Sequence, residues 1–112
     1  MVEVLIPDFR GRTDLLDALL EARPDVLAHN VETIQRLQVP VRDPRANWDQ
    51  STRILAHAKH RGFLTKTSIQ VGHGETEAEV LDTMRLLREL SVDFLTVGQY
   101  LEAQGPGVAN NV

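Results

Sequence analysis

The sequence predicts an α/β protein built on a parallel β-sheet, and two observations carry that reading. Short apolar runs alternate with amphipathic segments of helical period in the order β-α-β-α-β-α-β. Polar residues also gather at the carboxyl ends of all four apolar runs, where parallel α/β folds keep their ligand sites. Such an order builds a sheet covered by helices, either open or closed into a barrel.

The first run, VEVLIPDF (Val2 to Phe9), is a strand ending near Pro7 and Asp8. In RTDLLDALLEA, Leu15, Leu16, Leu19 and Leu20 have helical spacing, Asp14 stands near the start, and Arg23 and Pro24 stop the helix. DVLAHNVE (Asp25 to Glu32) is the second strand. TIQRLQVPVRDPRAN reads as a polar connection with Pro40 and Pro44 and at most one helical turn near its start. Asn47 or Asp49 caps the next helix, which runs to about His60 with Ile54, Leu55 and Ala58 inward; Gly62 ends it.

LTKTSIQVGH (Leu64 to His73) is the third strand. Thr76 then caps a helix with Glu79 three residues on, a capping-box pattern, and Val80, Met84, Leu87 and Leu90 form its inner face. VDFLTVGQYL (Val92 to Leu101) is the fourth strand. Residues 1–101 thus hold four strands and three helices, and 102–112, EAQGPGVANNV, read as linker or disordered end. Four parallel strands leave two open edges and amount to half of an eight-stranded barrel, which leads us to expect a missing remainder.

The 112 residues suffice for one modest domain, with 42 % apolar and 25 % charged side chains, as in ordinary globular proteins. A net charge of −4 with scattered basic residues argues against a nucleic-acid face. No apolar run is long enough to cross a bilayer, and no targeting segment is recognisable at the start. There is no cysteine, so this chain alone cannot form a disulfide, a thiolate zinc site or a cysteine-ligated iron–sulfur cluster.

Asp8 and Arg10 follow the first strand, and His29, Asn30 and Glu32 end the second. Alternation puts Ala28, Asn30 and Glu32 on one face and His29 on the other, where a satisfied structural histidine is the simpler reading. The polar face serves either a ligand or a network bracing the strands. Lys66, Ser68, Gln70 and Gly72 share a face; if it points inward, Lys66 reaches a carboxylate such as Glu32 or an anionic ligand, and otherwise the set faces solvent.

Gly72 and Gly74 permit close backbone approach, and Glu75 lies near the positive end of the following helix, able to accept a ligand donor. Arg42 is suited to a carboxylate or phosphate fork. Gln99 and Tyr100 close the fourth strand. The four histidines lack metal-ligand spacing, so no metal site is expected, and no serine has a nucleophile-elbow context.

The segments VEVLIPDFRG, DVLAHNVETIQRLQVPVRDPRANWDQS, LTKTSIQVGHGETEAEVLDTMRLLRE and VDFLTVGQYL together resemble lipoyl synthase, of the radical S-adenosylmethionine enzymes, from Val2 to Leu101. The resemblance implies a partial TIM-type barrel of six parallel β/α units, with the middle and later ones here. It implies sulfur insertion at C6 and C8 of a protein-bound octanoyl group, with an octanoylated lipoyl-carrier protein or domain as partner. It also implies S-adenosylmethionine and two [4Fe–4S] clusters, one generating a 5′-deoxyadenosyl radical and one donating sulfur. Carried over by motif, Asn30, Glu32, Arg42, Lys66, Ser68, Gly72, Gly74 and Glu75 become cofactor-side residues, and Gln99 and Tyr100 substrate-cavity residues.

VRDPRANWDQS is most similar to eukaryotic forms, which implies a mitochondrial or plastid enzyme. The family's CxxxCxxC motif, its auxiliary-cluster cysteines and its C-terminal RSSY segment are absent, and Gln70 and His73 stand where the family has apolar residues. The expectation is a lipoyl synthase fragment, inactive as it stands; the alternative is a non-catalytic α/β binding or interaction remnant.

Overall fold

A computed structural model of the chain describes residues 1–99. Four strands, β1 (Glu3–Leu5), β2 (Val26–Ala28), β3 (Leu64–Val71) and β4 (Phe94–Gln99), form one sheet in the order β1-β2-β3-β4, every pair parallel. The helices are α1 (Thr13–Leu20), the four-residue α2 (Gln38–Val41), α3 (Trp48–His60) and α4 (Glu77–Glu89). Two 3₁₀ turns, Phe9–Gly11 and Gln35–Leu37, precede α1 and α2.

Spatial order follows chain order, so the sheet is wound in one direction. The apolar core confirms that α1, α3 and α4 share one side. Ile6, Leu16, Leu20, Leu27, Ile54 and Ala58 form one buried cluster, and Val31, Leu55, Ile69 and Leu87 form another. A doubly wound sheet would place helices on both faces. Consecutive parallel pairing with helices on one face is the arrangement of part of a TIM-type barrel.

On β3, Thr65, Thr67 and Ile69 are buried toward the helices, and Lys66, Ser68 and Gln70 lie on the opposite face, increasingly open along the strand. The alternation is therefore as expected, and the polar set lines the face that a closed barrel would enclose. Lys66, however, reaches Glu3 on β1 at 3.2 Å, not Glu32. Ala28 pairs with Lys66, and Glu32 bridges to Ile69 farther along β3. The Lys66 position thus lies well below the carboxyl end of the sheet.

The helix signals were local and they held. Asn47 caps α3 by accepting the Gln50 amide at 2.8 Å, and Ile54, Leu55 and Ala58 are fully buried. Thr76 and Glu79 form the capping box of α4. Its inner face differs from expectation: Thr83 and Leu87 are buried and Met84 is exposed. Thr83 can occupy that face because its hydroxyl donates to the Glu79 carbonyl at 2.9 Å.

The strands are shorter than the sequence predicts. β1 stops at Leu5 because the next carbonyl, Ile6 O, takes the His29 ring N–H at 2.9 Å in place of a ladder amide, and Phe9, Arg10 and Gly11, all at positive φ, then turn the chain into α1. β2 stops at Ala28 because the Val31 amide donates to the Thr67 hydroxyl, at 3.1 Å, instead of to a ladder carbonyl. β3 stops at Val71, where Gly72 at φ 107 begins the turn. Tyr100 and the tail 102–112 lie outside the described residues.

Candidate functional site

The interruption after β2 shapes the carboxyl end of the sheet. Glu32 sits at φ 71, a left-handed conformation that L-residues with a Cβ avoid. The chain then rejoins β3, with the Glu32 amide on Ser68 O at 3.2 Å and the Gln70 amide on Glu32 O at 2.7 Å. This bulge leaves Asn30 and Glu32 half-buried over the open end of the sheet. Backbone strain of this kind collects at functional sites.

A cleft of about 540 Å³ opens there, lined by Glu32, Pro40, Val41, Arg42, Asp43, Ala46, Gln70 and His73. A second of about 250 Å³ adjoins it, sharing Glu32, Arg42 and Ala46 and adding Asp8, His29 and Asn30. Arg42 stands between the two. Pro40 is tolerated in α2 because it falls in the first turn, where its missing N–H costs no helical bond. One helical turn separates Gln38 from Arg42, so the two side chains meet.

Arg42 is held by one edge. Its Nη1 donates to Gln38 Oε1 and to Ser51 Oγ, each at 2.8 Å, and reaches Asn47 O at 3.3 Å. Nη2 touches Asn30 O at 3.4 Å. Among the described residues no carboxylate pairs with this guanidinium. Burial pushes its pKa down, while the charges of Asp8 and Glu32 oppose that. Arg42 lines both clefts, and a half-buried guanidinium without a carboxylate partner has the chemistry to take a carboxylate or phosphate.

His29 is a structural residue. It is 3 % exposed, with Nδ1 at 2.9 Å from Ile6 O and Nε2 at 2.8 Å from Ser51 Oγ. Because a carbonyl only accepts, Nδ1 carries the proton; the Ser51 hydroxyl then donates to Nε2 and accepts from Arg42. Burial lowers the His29 pKa, so the ring is neutral.

The turn after β3 is closed internally. Glu75 accepts the Gly72 amide at 2.5 Å and the His73 amide at 3.0 Å. Burial raises its pKa, but amide bonds from Gly72, Glu75 and His73 outweigh that and hold it below the ordinary carboxylate range. Arg36 ties the turn to the loop after β2, pairing with Glu79 at 2.6 Å and donating to Gly74 O at 3.1 Å. Gly74 has positive φ and open space where a Cβ would stand.

The structure therefore gathers Asn30, Glu32 and Arg42 at one cleft and places Gly72, Gly74 and Glu75 on the adjoining turn. Ser68 lies one alternation below Gln70 on the open face, and Gln99 pairs with Val71 at the exposed end of β4. Gln38 was not anticipated as a site residue, whereas Gln70 and His73 were read from the sequence among the polar residues of the third strand and its end. Gln70 and His73 line the cleft, and Gln38, 4 % exposed, anchors Arg42. Ser51 was legible in principle: the inner stripe of α3 continues backward from Ala58 through Leu55 and Ile54 to it, and a buried hydroxyl needs a partner.

Among the described residues no group of three or more His, Cys, Asp or Glu side chains is placed to hold a metal ion. No described helix is long and apolar enough to cross a membrane.

A one-way wound parallel α/β sheet with a charged cleft at its carboxyl edge defines the class: part of a TIM-type α/β barrel. The radical SAM superfamily model matches residues 1–87, and the chain belongs to that superfamily. It is also 54 % identical over 104 residues to a lipoyl synthase of Myxococcus xanthus, covering 91 % of this chain and 35 % of the relative. A lipoyl synthase of Picrophilus torridus is 50 % identical over 101 residues, covering 89 % and 35 %. A mitochondrial lipoyl synthase of Ostreococcus lucimarinus is 53 % identical over 102 residues, covering 90 % and 26 %.

The chain thus spans about a third or less of the length of these relatives. Bacterial, archaeal and organellar forms match to the same degree, so similarity over this segment does not distinguish a compartment.

Proposed function

We propose that the chain supplies the S-adenosylmethionine-facing wall of a lipoyl synthase, an enzyme inserting sulfur at C6 and C8 of an octanoyl group on a lipoyl-carrier partner. The observation that carries this reading is the unpaired Arg42 guanidinium beside Glu32, at the carboxyl end of a sheet in a radical SAM chain. Arg42 takes the carboxylate of the cofactor's methionine moiety, and Glu32 takes its ammonium group. Asn30, Ser68, Gly72, Gly74 and Glu75 form the adjoining wall, and Gln99 with Tyr100 borders the substrate cavity. Lys66 contributes from lower in the sheet, through the charge it shares with Glu3.

The two implied cofactors fit differently. An amino-carboxylate ligand matches the donor and acceptor on the two sides of the cleft. An iron–sulfur cluster does not fit, because the chain has no thiolate to ligate it. S-adenosylmethionine supplies the sulfonium from which this superfamily draws its radical; the residues here bind and orient it. By itself the chain is inactive in sulfur insertion. The wording of VRDPRANWDQS, not the names of the relatives, is what supports a mitochondrial or plastid enzyme.

Titrating the chain with S-adenosylmethionine, followed by amide NMR, tests the binding reading. Saturable shifts confined to the Asn30–Glu32 segment, Arg42 and the Gly72–Glu75 turn are expected, and Arg42→Gln abolishes them. Absence of saturable shifts in the parent chain overturns it. Anaerobic reconstitution with iron and sulfide yields no cluster spectrum; a stable cluster with cofactor turnover would overturn the inactivity.

A further inference from the structure

The cleft's two charged groups are held by one buried amide. Gln38 Nε2 donates to Val31 O at 2.9 Å and to Thr33 O at 2.6 Å, the carbonyls on either side of Glu32. Its Oε1 accepts from Arg42. The opposite orientation of the amide would set an oxygen against two carbonyls and an NH₂ against a guanidinium, so the network admits one orientation. One side chain therefore fixes the left-handed backbone at Glu32 and one edge of Arg42 together.

Ser51, fully buried on α3, provides the second hold on Arg42 Nη1, and His29 fixes the Ser51 hydroxyl in turn. With Gln38 and Ser51 as its short contacts, Nη1 is saturated, and Nε with the rest of Nη2 is left for a ligand. A guanidinium restrained in this way loses less rotamer entropy when it binds than a free arginine does.

We propose that Gln38 and Ser51 are positioning residues that preset Glu32 and Arg42 as opposed poles for the zwitterionic end of an amino-acid-bearing ligand. This rests on the binding reading given above and extends it to two residues that touch no ligand. Presetting acts on the amino-carboxylate alone, so it predicts a split between ligands with and without that group.

The test uses the 112-residue chain, its Gln38→Leu and Ser51→Ala variants, and Ser51→Thr as the conservative control. Side-chain NMR of Arg42 reads the positioning directly. In the parent, guanidinium rotation is slow compared with exposed Arg85; in Gln38→Leu, which removes the acceptor at 2.8 Å, and in Ser51→Ala it becomes fast, and Ser51→Thr restores slow rotation. Calorimetric titration with S-adenosylhomocysteine and with adenosine reads the consequence. Each of the two disruptive variants weakens S-adenosylhomocysteine about tenfold and leaves adenosine unchanged, the loss expected for about 1.4 kcal/mol.

Parent Arg42 as mobile as Arg85, or equal losses for both ligands, overturns the positioning role. Failure of the parent to bind S-adenosylhomocysteine while Arg42 is restrained and released by the variants overturns the binding reading and leaves the positioning geometry standing. The parent's Arg42 mobility decides the point even where a variant fails to fold.

Discussion

At the scale of single residues, the site depends on groups whose partners come from distant parts of the chain. His29 makes this plain: its ring bonds Ile6 and Ser51, 23 and 22 residues away. The sequence marked it as a structural histidine by its face, yet could not name those partners, because nothing local brings α3 against β2. Glu32 was similarly visible as a polar strand end, but its φ of 71 arises from the broken ladder beside Thr67. His29 yields a pH prediction. Burial lowers its pKa below the ordinary 6.5, with Ile6 O, Asp8 and Glu32 opposing and Arg42 reinforcing. The unfolded chain therefore binds a proton that the folded chain refuses, so stability holds above pH 6.5 and falls as pH drops from there toward the lowered folded-state value. Thermal melts between pH 8 and 5 should show that decline, and it should shrink in His29→Gln; a flat profile in the parent contradicts a buried neutral ring.

At the scale of elements, legibility followed the locality of the signal. The caps of α3 and α4 were readable because Asn47 and Thr76 bond amides only three residues on. Strand limits were not, since β1 and β2 end where tertiary bonds replace the ladder. The exposed Met84 shows the same limit: residue spacing names a stripe, but the neighbouring elements choose which residues of it are covered. The α4 start also joins three pieces of the site, because Glu79 caps the helix and pairs with Arg36, which in turn holds Gly74 O. Arg36 chiefly, then the Thr76 amide, push the Glu79 pKa down from 4.5 to about 2. A lowered carboxylate pKa contributes stability above pH 4.5, and that contribution is lost as pH falls through about 2. Acid titration of the melting midpoint should show this loss in the parent and its absence in Glu79→Gln. Arg36→Ala should narrow the window, and it should release the turn, read as faster amide exchange at Gly74 and Glu75.

At the scale of the whole molecule, the described residues form a sheet with helices on one face only and, among them, no strand beyond β1 or β4. Among the described residues, β4 carries exposed Phe94 and Val97, and α4 beside it exposes Leu81, Met84 and Leu86. On the opposite edge, β1 exposes Leu5, but it is only three residues long. A short edge offers little template for pairing, whereas a six-residue apolar edge offers a full one. The same surface is where a following β/α unit would pack in a longer barrel. Isolated, the 112-residue chain should therefore self-associate through β4 as its concentration rises. Sedimentation velocity across a hundredfold concentration range checks this, with the weight-average mass rising in the parent. Val97→Lys should hold the chain monomeric at concentrations where the parent associates, because a charge on an edge strand opposes further pairing. Leu5→Lys on β1 serves as the comparison and should have the smaller effect. Equal behaviour of the two variants would place the association elsewhere than the β4 edge.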